Sequence, residues 1–444
     1  MLKGDSVVVS RKISSKWVGR LLGLWLCGVF AGMILALIGS VKGDATNVGA
    51  VATVGLAVLW PTFYFLFSKE GIIPRNTSNG TLILLTIFFL FGFLSVFFSS
   101  LMVISTAYMV LTLLSVLICL KFASVLDAQE LGNGLRTYTL CVALLVVAFS
   151  IWDYEPGSRL GEGHRVLEPA TIGMVSMSAA ISAMCFRSLI TRFLLISALI
   201  YVIYLTGSRA SALSVLIGLF VVVYERTRIA AKTSQAIVLL MVIASITLAA
   251  INLDYVLDVV EGFLELHDKH RGIDSGGSGR LEVWQETWQL FVENPIFGVG
   301  FRAHEARLKL GTSAHNGYLA LLAEIGIFGF LSIIILVISG VYKLWRCCRR
   351  DPKLSYNYSI LIGISVSYLF LAIFERFLIN SGNPTSLLFM VAVFLGMSQS
   401  KRSSAKVHFH NDSNPAVAKE ARGRNSDKDG FLYNSENRYV RRLH

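Results

Sequence analysis

Charge is what this chain has least of. Asp, Glu, Lys and Arg together make up 15% of its 444 residues, where a soluble globular domain carries about a quarter. Alongside 54% apolar or aromatic residues and a mean hydropathy of +0.64, that shortage excludes a disordered chain and an ordinary cytosolic enzyme. So much apolar surface cannot be hidden in a water-soluble core of this size. The bilayer is the solvent. Cysteine is also scarce: Cys27, Cys119, Cys141, Cys185, Cys347 and Cys348 fall in apolar runs or in one basic loop, at no spacing that builds a disulfide framework or a zinc knuckle. The net charge of +12 does not point to nucleic acid, because Lys and Arg gather in short loops and at the two ends, with no basic stripe interleaved with aromatics. No internal repeat is visible, and low complexity is confined to Gly276, Gly277 and Gly279.

What is present is apolar runs long enough to cross a bilayer, for which a helix needs about 20 residues. They lie at 17–39, 47–67, 81–98, 101–120, 137–152, 169–186, 190–206, 211–225, 236–251, 316–341, 358–378 and 385–399. The first follows Lys3, Arg11, Lys12 and Lys16 and is too long for a cleaved signal, so it reads as a retained anchor. Alternate loops carry about 19 basic residues against about 5 in the others, which puts both termini in the cytoplasm. The expected fold is all-α: a polytopic integral membrane protein of about 12 transmembrane helices with one long helical periplasmic loop.

Four regions follow. Residues 1–251 form an N-terminal bundle of nine spans, 252–315 the periplasmic loop, 316–400 the last three spans, and 401–444 a polar tail too poor in apolar residues to offset its ordering entropy. Loops beyond about 15 residues are uncommon unless functional or disordered, and this one has helical periodicity. Tyr255, Val256, Val259, Val260, Phe263 and Leu264 form one stripe; Leu281, Trp284, Trp288 and Phe291 form another. Tryptophans on one face favour the headgroup boundary, so the loop is expected across the outer mouth of the bundle.

Polar residues at that mouth carry what chemistry there is. Arg209, in Thr206-Gly207-Ser208-Arg209-Ala210-Ser211, is either a snorkelling arginine or, with Ser208 or Ser211 capping the next helix, half of an anion site. Arg280 follows the glycine-rich run 275–279 and is either solvated or a second guanidinium for the same cavity. His315 stands where the long loop re-enters the membrane, with Asn316 beside it to orient its ring. Its ordinary pKa near about 6.5 suits proton transfer. His304 is a weaker candidate among Arg302, Arg307 and Lys309. Arg159 and Arg165 either contact an anion or pair with Glu155, Glu162 and Glu168. Glu375 and Arg376 pair with neighbours or line the cavity, and Glu324 is a functional suspect as an intramembrane carboxylate. His267-x-x-His270 with Asp268 and Asp274 matches no strong metal motif, so neither metal nor cofactor is expected.

Taken in order, Thr206-Gly207-Ser208-Arg209-Ala210, Gly279-Arg280-Leu281-Glu282-Val283-Trp284, Asn294-Pro295-Ile296-Phe297-Gly298-Val299-Gly300, His315-Asn316-Gly317-Tyr318-Leu319 and Glu324-Ile325-Gly326-Ile327-Phe328-Gly329 resemble the O-antigen ligase and polymerase superfamily. The similar block covers roughly residues 200–330; the rest agrees in hydropathy and topology. The resemblance implies a bacterial inner-membrane glycosyltransferase that takes a glycan from undecaprenyl diphosphate at the periplasmic face. The acceptor hydroxyl belongs to lipid A core in ligases and to another lipid-linked repeat unit in polymerases. It also implies Arg209 and Arg280 at the diphosphate, an outer arginine (Arg159 or Arg165) beside them, and His315 at the acceptor.

That chemistry needs no metal: arginine forks bind two phosphate oxygens at once and stabilise the charge that develops as the sugar–diphosphate bond breaks. The expected mechanism is a single inverting displacement with neutral His315 as base. Two other readings stand beside the ligase. One is an O-antigen or exopolysaccharide polymerase. The other is a multi-pass lipid or glycan transporter or flippase, although transporters place their polar and broken helices near the midplane.

Overall fold

The computed structural model describes residues 16–39, 48–66, 74, 77–164, 167–229, 280–309, 313–376 and 378–412. The described helices are α1 (Lys16–Gly39), α2 (Val48–Leu66), α3 (Asn79–Val96), α4 (Met102–Val125), α5 (Ala128–Asp153), α6 (Pro169–Ser182), α7 (Leu189–Thr206), α8 (Arg209–Ile229), α9 (Arg280–Glu293), α10 (Gly317–Arg350), α11 (Pro352–Leu371) and α12 (Pro384–Asp412). No strand occurs among the described residues. A helix satisfies every backbone polar group internally, which is why apolar runs of this length adopt it where water is excluded. Eight of these helices are long and apolar enough to cross a membrane, and three shorter apolar segments lie at Ala52–Thr62, Pro169–Cys185 and Pro384–Ser398.

Eleven of the twelve apolar runs therefore fall on helices. The run at 236–251 lies outside the described residues, as do the stripe from Tyr255 to Leu264, Arg165, and the His267–His270 group. Two boundaries move. α11 ends at Leu371 rather than near 378, which leaves Glu375 and Arg376 in the turn that follows it. The chain divides into the units Met1–Ser400 and Lys401–His444, and α12 runs on to Asp412, so the region read as a polar tail begins in helix.

Local sequence sets the helix ends. Ser78, Asp127 and Ser188 accept hydrogen bonds from the backbone N–H groups of Thr81, Glu130 and Thr191, satisfying donors that the first turn leaves free. Pro169 opens α6 where its missing N–H costs nothing. Gly207, at φ 59°, ends α7 in the left-handed region.

The packing is dense and largely aliphatic, with Trp25 stacked on Phe122 at 5.3 Å between ring centres. A buried hydroxyl chain runs from Tyr138 to Ser178 (2.7 Å) to Thr385 (2.8 Å), tying α5, α6 and α12 together. At the other extremity from the α7–α8 turn, arginines lock helix ends. Arg226 donates to the Met184 and Tyr356 carbonyls, both at 3.0 Å. Arg349 donates to Glu225 at 3.0 Å, and Arg192 to the Tyr356 hydroxyl at 2.7 Å.

One helix is broken, and the break shapes the site. Within α10, Gly326 has φ 68° and ψ −178°, which releases backbone groups on either side. The Asn294–Gly300 segment takes them up: Val299 N–H donates to Ala323 O (2.9 Å), Gly300 N–H to Glu324 O (3.1 Å), and Ile327 N–H to Pro295 O (2.9 Å). The approach is too close for a side chain, since a Cβ at Gly326 would sit 2.1 Å from the Ile296 carbonyl oxygen.

Candidate functional site

The site forms at one end of the bundle, where α6, α8 and α10 begin and α7 and α11 end. Two backbone links bring distant segments there. Gly317 N–H donates to Ala372 O at 2.8 Å, fastening the start of α10 to the turn that carries Glu375 and Arg376. Leu160 N–H donates to Leu205 O at 3.0 Å, fastening the loop after α5 to the end of α7. That loop is braced by Asp153, which accepts from Gly161 N–H (2.9 Å) and contacts His164 Nε2 (2.6 Å).

Arg376 is the hub. Its Nη2 donates to Glu168 Oε1 at 2.9 Å, and its Nη1 lies 3.5 Å from Glu305 Oε1. Glu168 precedes Pro169 at the N-terminus of α6, where a negative charge also meets the positive end of the helix dipole. Burial, and to a lesser degree Glu305, holds the Glu168 carboxyl above its ordinary range against the pull of Arg376. Glu375 is more deeply set, with 7% of its surface exposed. Desolvation and the neighbouring Glu168 push it up to about 8, while Arg280, Arg376 and Arg159 pull the other way. Near neutral pH Glu375 is therefore mostly a protonated acid, able to donate a hydrogen bond.

His315 is held by its neighbours in sequence. Trp284 of α9 donates from Nε1 to Ala314 O at 2.6 Å. The Asn316 carbonyl oxygen caps α10 by accepting from Tyr318 and Leu319 N–H, both at 3.1 Å. That oxygen is thus committed to the helix. His315 itself has φ 43°, and Arg302 has φ 62°; among the described residues these are the only non-glycine positions at positive φ. Such backbone costs of order 1–3 kcal/mol and persists where the surroundings over-determine it, often at functional sites. Burial first, then Arg280 and Arg376, lower the His315 imidazole to about 4, partly offset by Glu305. It is a neutral acceptor at physiological pH.

The arginines differ in their commitments. Arg159 donates from Nε to Thr206 O (2.8 Å) and from Nη2 to Gly207 O (3.3 Å), so it is braced against the α7–α8 turn, and its charge reaches Glu375. Glu168 pairs with Arg376. Arg280 opens α9 and acts on both His315 and Glu375. Arg209 is the first residue of α8, two positions after Gly207, at the same end of the bundle. Ser208 is buried, and its hydroxyl donates to Ser211 Oγ at 2.9 Å.

Two neighbours carry more than their sequence context implied. His304 sits in a short 3-10 turn, His304–Arg307. Its Nδ1 lies 2.6 Å from Oε1 of Glu324, with only 1% and 4% of the two side chains exposed. An intramembrane carboxylate needs a partner, and that rule was the available signal, though nothing local identified His304. Arg302 donates to Ile379 O at 3.1 Å; burial lowers its pKa, with Glu324 opposing. Glu305 had no signal at all. Among the described residues no group of three or more His, Cys, Asp or Glu side chains is placed to hold a metal ion.

Residues 193–334 match the family model described as O-antigen ligase, which supports the O-antigen ligase superfamily for this chain. The matched segment contains Arg209, Arg280, His304, His315 and Glu324; Arg159, Glu168, Glu375 and Arg376 come from outside it. No curated protein matches the chain.

Proposed function

With an O-antigen ligase segment at 193–334 as the premise, we propose that this protein is a lipid-linked glycan transferase of a bacterial inner membrane. It crosses the bilayer about twelve times with both termini cytoplasmic. The reaction takes place at the periplasmic end, where a glycan leaves undecaprenyl diphosphate for an acceptor hydroxyl. The sugar-rich core of lipid A is the acceptor we favour. Basic residues at the Arg192, Arg226 and Arg349 end support this orientation, because positive loops remain in the cytoplasm.

One observation carries the reading: the Gly317 N–H to Ala372 O bond at 2.8 Å joins the turn bearing His315 to the turn bearing Glu375 and Arg376, and Arg280 is among the charges felt at both His315 and Glu375. A diphosphate leaving group gains negative charge as its bond to the anomeric carbon breaks. Guanidiniums already positioned in a partly dehydrated pocket stabilise that charge without reorganising. Arg280 and Arg209 bind the diphosphate oxygens, with Arg159 and Arg376 completing the positive wall. Glu375, as a neutral acid, adds a donor where an ionised carboxylate would repel. On the opposite side of the anomeric carbon, His315 accepts the proton of the attacking hydroxyl, and the configuration inverts in a single displacement.

Purified protein in nanodiscs, given lipid-linked glycan and either lipid A core or further donor, tests this directly. A discrete addition to lipid A core is the expected result. A ladder of products would identify a polymerase instead, and movement of carrier lipid without acceptor-dependent release would remove the enzyme reading.

A further inference from the structure

The cations at the end of the bundle away from His315 fall into two groups. One group is committed to protein. Arg226 holds the Met184 and Tyr356 carbonyls, and Arg192 the Tyr356 hydroxyl. Arg228 and Arg349 take the two oxygens of buried Glu225 at 3.3 and 3.0 Å, and Trp345 Nε1 reaches the same carboxylate at 2.9 Å. The other group stands on the last turns of α10. Arg346 and Arg350 are exposed and Lys343 is half-buried, and among the described residues no ion pair joins any of them to a carboxylate. Arg346 rests over the Tyr342 ring at 5.7 Å. The Lys343 ammonium donates to Met397 Sδ at 3.4 Å, an acceptor too weak to match a full charge.

Spacings of three and four residues place positions 343, 346 and 350 on one side of the helix, within about 10 Å along its axis. Like charges so placed repel one another unless an anion lies between them. Lys343 also borders the junction with α12, where a Cβ on Gly396 would meet the Gly340 carbonyl oxygen at 2.1 Å. Leading up to Arg346 is an apolar stripe at the same spacing: Leu331, Ile335, Ile338 and Tyr342, all exposed. It runs about 16 Å, close to the depth of one hydrocarbon leaflet, about 15 Å.

We propose that this face of α10 binds an anionic phospholipid of the adjoining leaflet. The phosphate lies among Lys343, Arg346 and Arg350, and one acyl chain follows Tyr342, Ile338, Ile335 and Leu331. Stacking on Tyr342 occupies the face of the Arg346 guanidinium and leaves its N–H fork for phosphate oxygens. A soluble anion would use the cations and leave the stripe bare. A zwitterionic lipid would cover the stripe but bring a cation of its own to the three already there. Only a ligand anionic at one end and apolar for the length of a leaflet satisfies both parts. The inference is independent of the transferase reading, since none of these residues belongs to the site around His315.

The test is native mass spectrometry of the full-length protein in detergent, titrated with phosphatidylglycerol or with phosphatidylcholine of the same chains. Each basic residue at an anionic lipid surface strengthens association roughly 5-fold, so three predict a preference for phosphatidylglycerol of roughly 100-fold. The triple variant Lys343→Gln, Arg346→Gln, Arg350→Gln should lose that preference. Arg20→Gln, which removes an exposed cation of α1 that lies over Trp17, should keep it. Thermal unfolding in phosphatidylcholine nanodiscs establishes that the variants are folded; if the triple variant is not, Arg346→Gln alone should lower the preference roughly 5-fold. Equal retention of the two lipids by wild type, or an undiminished preference in a folded variant, overturns the proposal. Displacement of phosphatidylglycerol by inorganic phosphate at equal concentration also overturns it, because the site would then hold a free anion rather than a lipid.

Discussion

Replacing Glu375 with glutamine tests the electrostatics of the pocket without needing substrate. The carboxyl has an ordinary value of 4.5 and is pushed up to about 8 in the folded protein, by burial first and then by Glu168. Below about 4.5 it is protonated both folded and unfolded, and the interaction leaves stability untouched. Between 4.5 and about 8 the unfolded chain has released the proton and the folded one still holds it, so stability falls as pH rises. At about 1.36 kcal/mol per unit, the loss accumulated by about pH 7 comes to about 3 kcal/mol. The glutamine has no proton to release and escapes it. Thermal unfolding in nanodiscs, followed by tryptophan fluorescence from about pH 5 to about pH 8, should show the Glu375→Gln protein gaining steadily on wild type. A constant offset across that range, or one that grows towards acid, would refute the claim that Glu375 is a desolvated acid beside a second carboxylate.

His315→Ala should lower glycan transfer by roughly 10² to 10⁴-fold. In wild type the limb on which this base is lost by protonation should lie near pH 4, its lowered value; a limb at the ordinary histidine pKa would contradict the burial argument. Arg280→Lys keeps a charge beside His315 and Glu375 but loses the fork. Losing one charge-assisted hydrogen bond of about 1.5–3 kcal/mol predicts a fall of roughly 10- to 100-fold in kcat/KM, and full activity would remove the bidentate contact. Arg209→Lys should behave alike if its guanidinium reaches the diphosphate, and unimpaired turnover would leave that role to Arg159. Gly326→Ala forces a Cβ to within 2.1 Å of the Ile296 carbonyl at φ 68°, so it should lower stability by at least about 1–3 kcal/mol; an unchanged melting midpoint would show that the break in α10 is pliable.

Hydropathy is a local property, and it located the helices well. The ends of α1, α7 and α10 agree with the apolar runs to within a residue or two at one end or both, because each span had to satisfy its backbone alone. The glycines of Asn294–Gly300 and Gly326 were visible as a pattern, but only the fold shows that one segment supplies the hydrogen bonds the other gives up. Trp284 and Trp288 do share a helix. The fold ties Trp284 to Ala314 and so makes it a support for His315.

The convergence of charges was not legible in the same way. Composition and spacing singled out Arg280, His315, Glu375 and Arg376, and determined by themselves that the chain is helical and belongs in a bilayer. Whether a guanidinium meets an imidazole or a carboxylate depends on contacts between residues far apart in the chain, such as Arg376 with Glu168 at 2.9 Å and His304 with Glu324. Such pairs leave no periodicity, so no window along the sequence contains them. Spans follow from how each residue partitions between water and lipid; the pocket, its raised acid and its lowered base exist only once helices exclude water from between them.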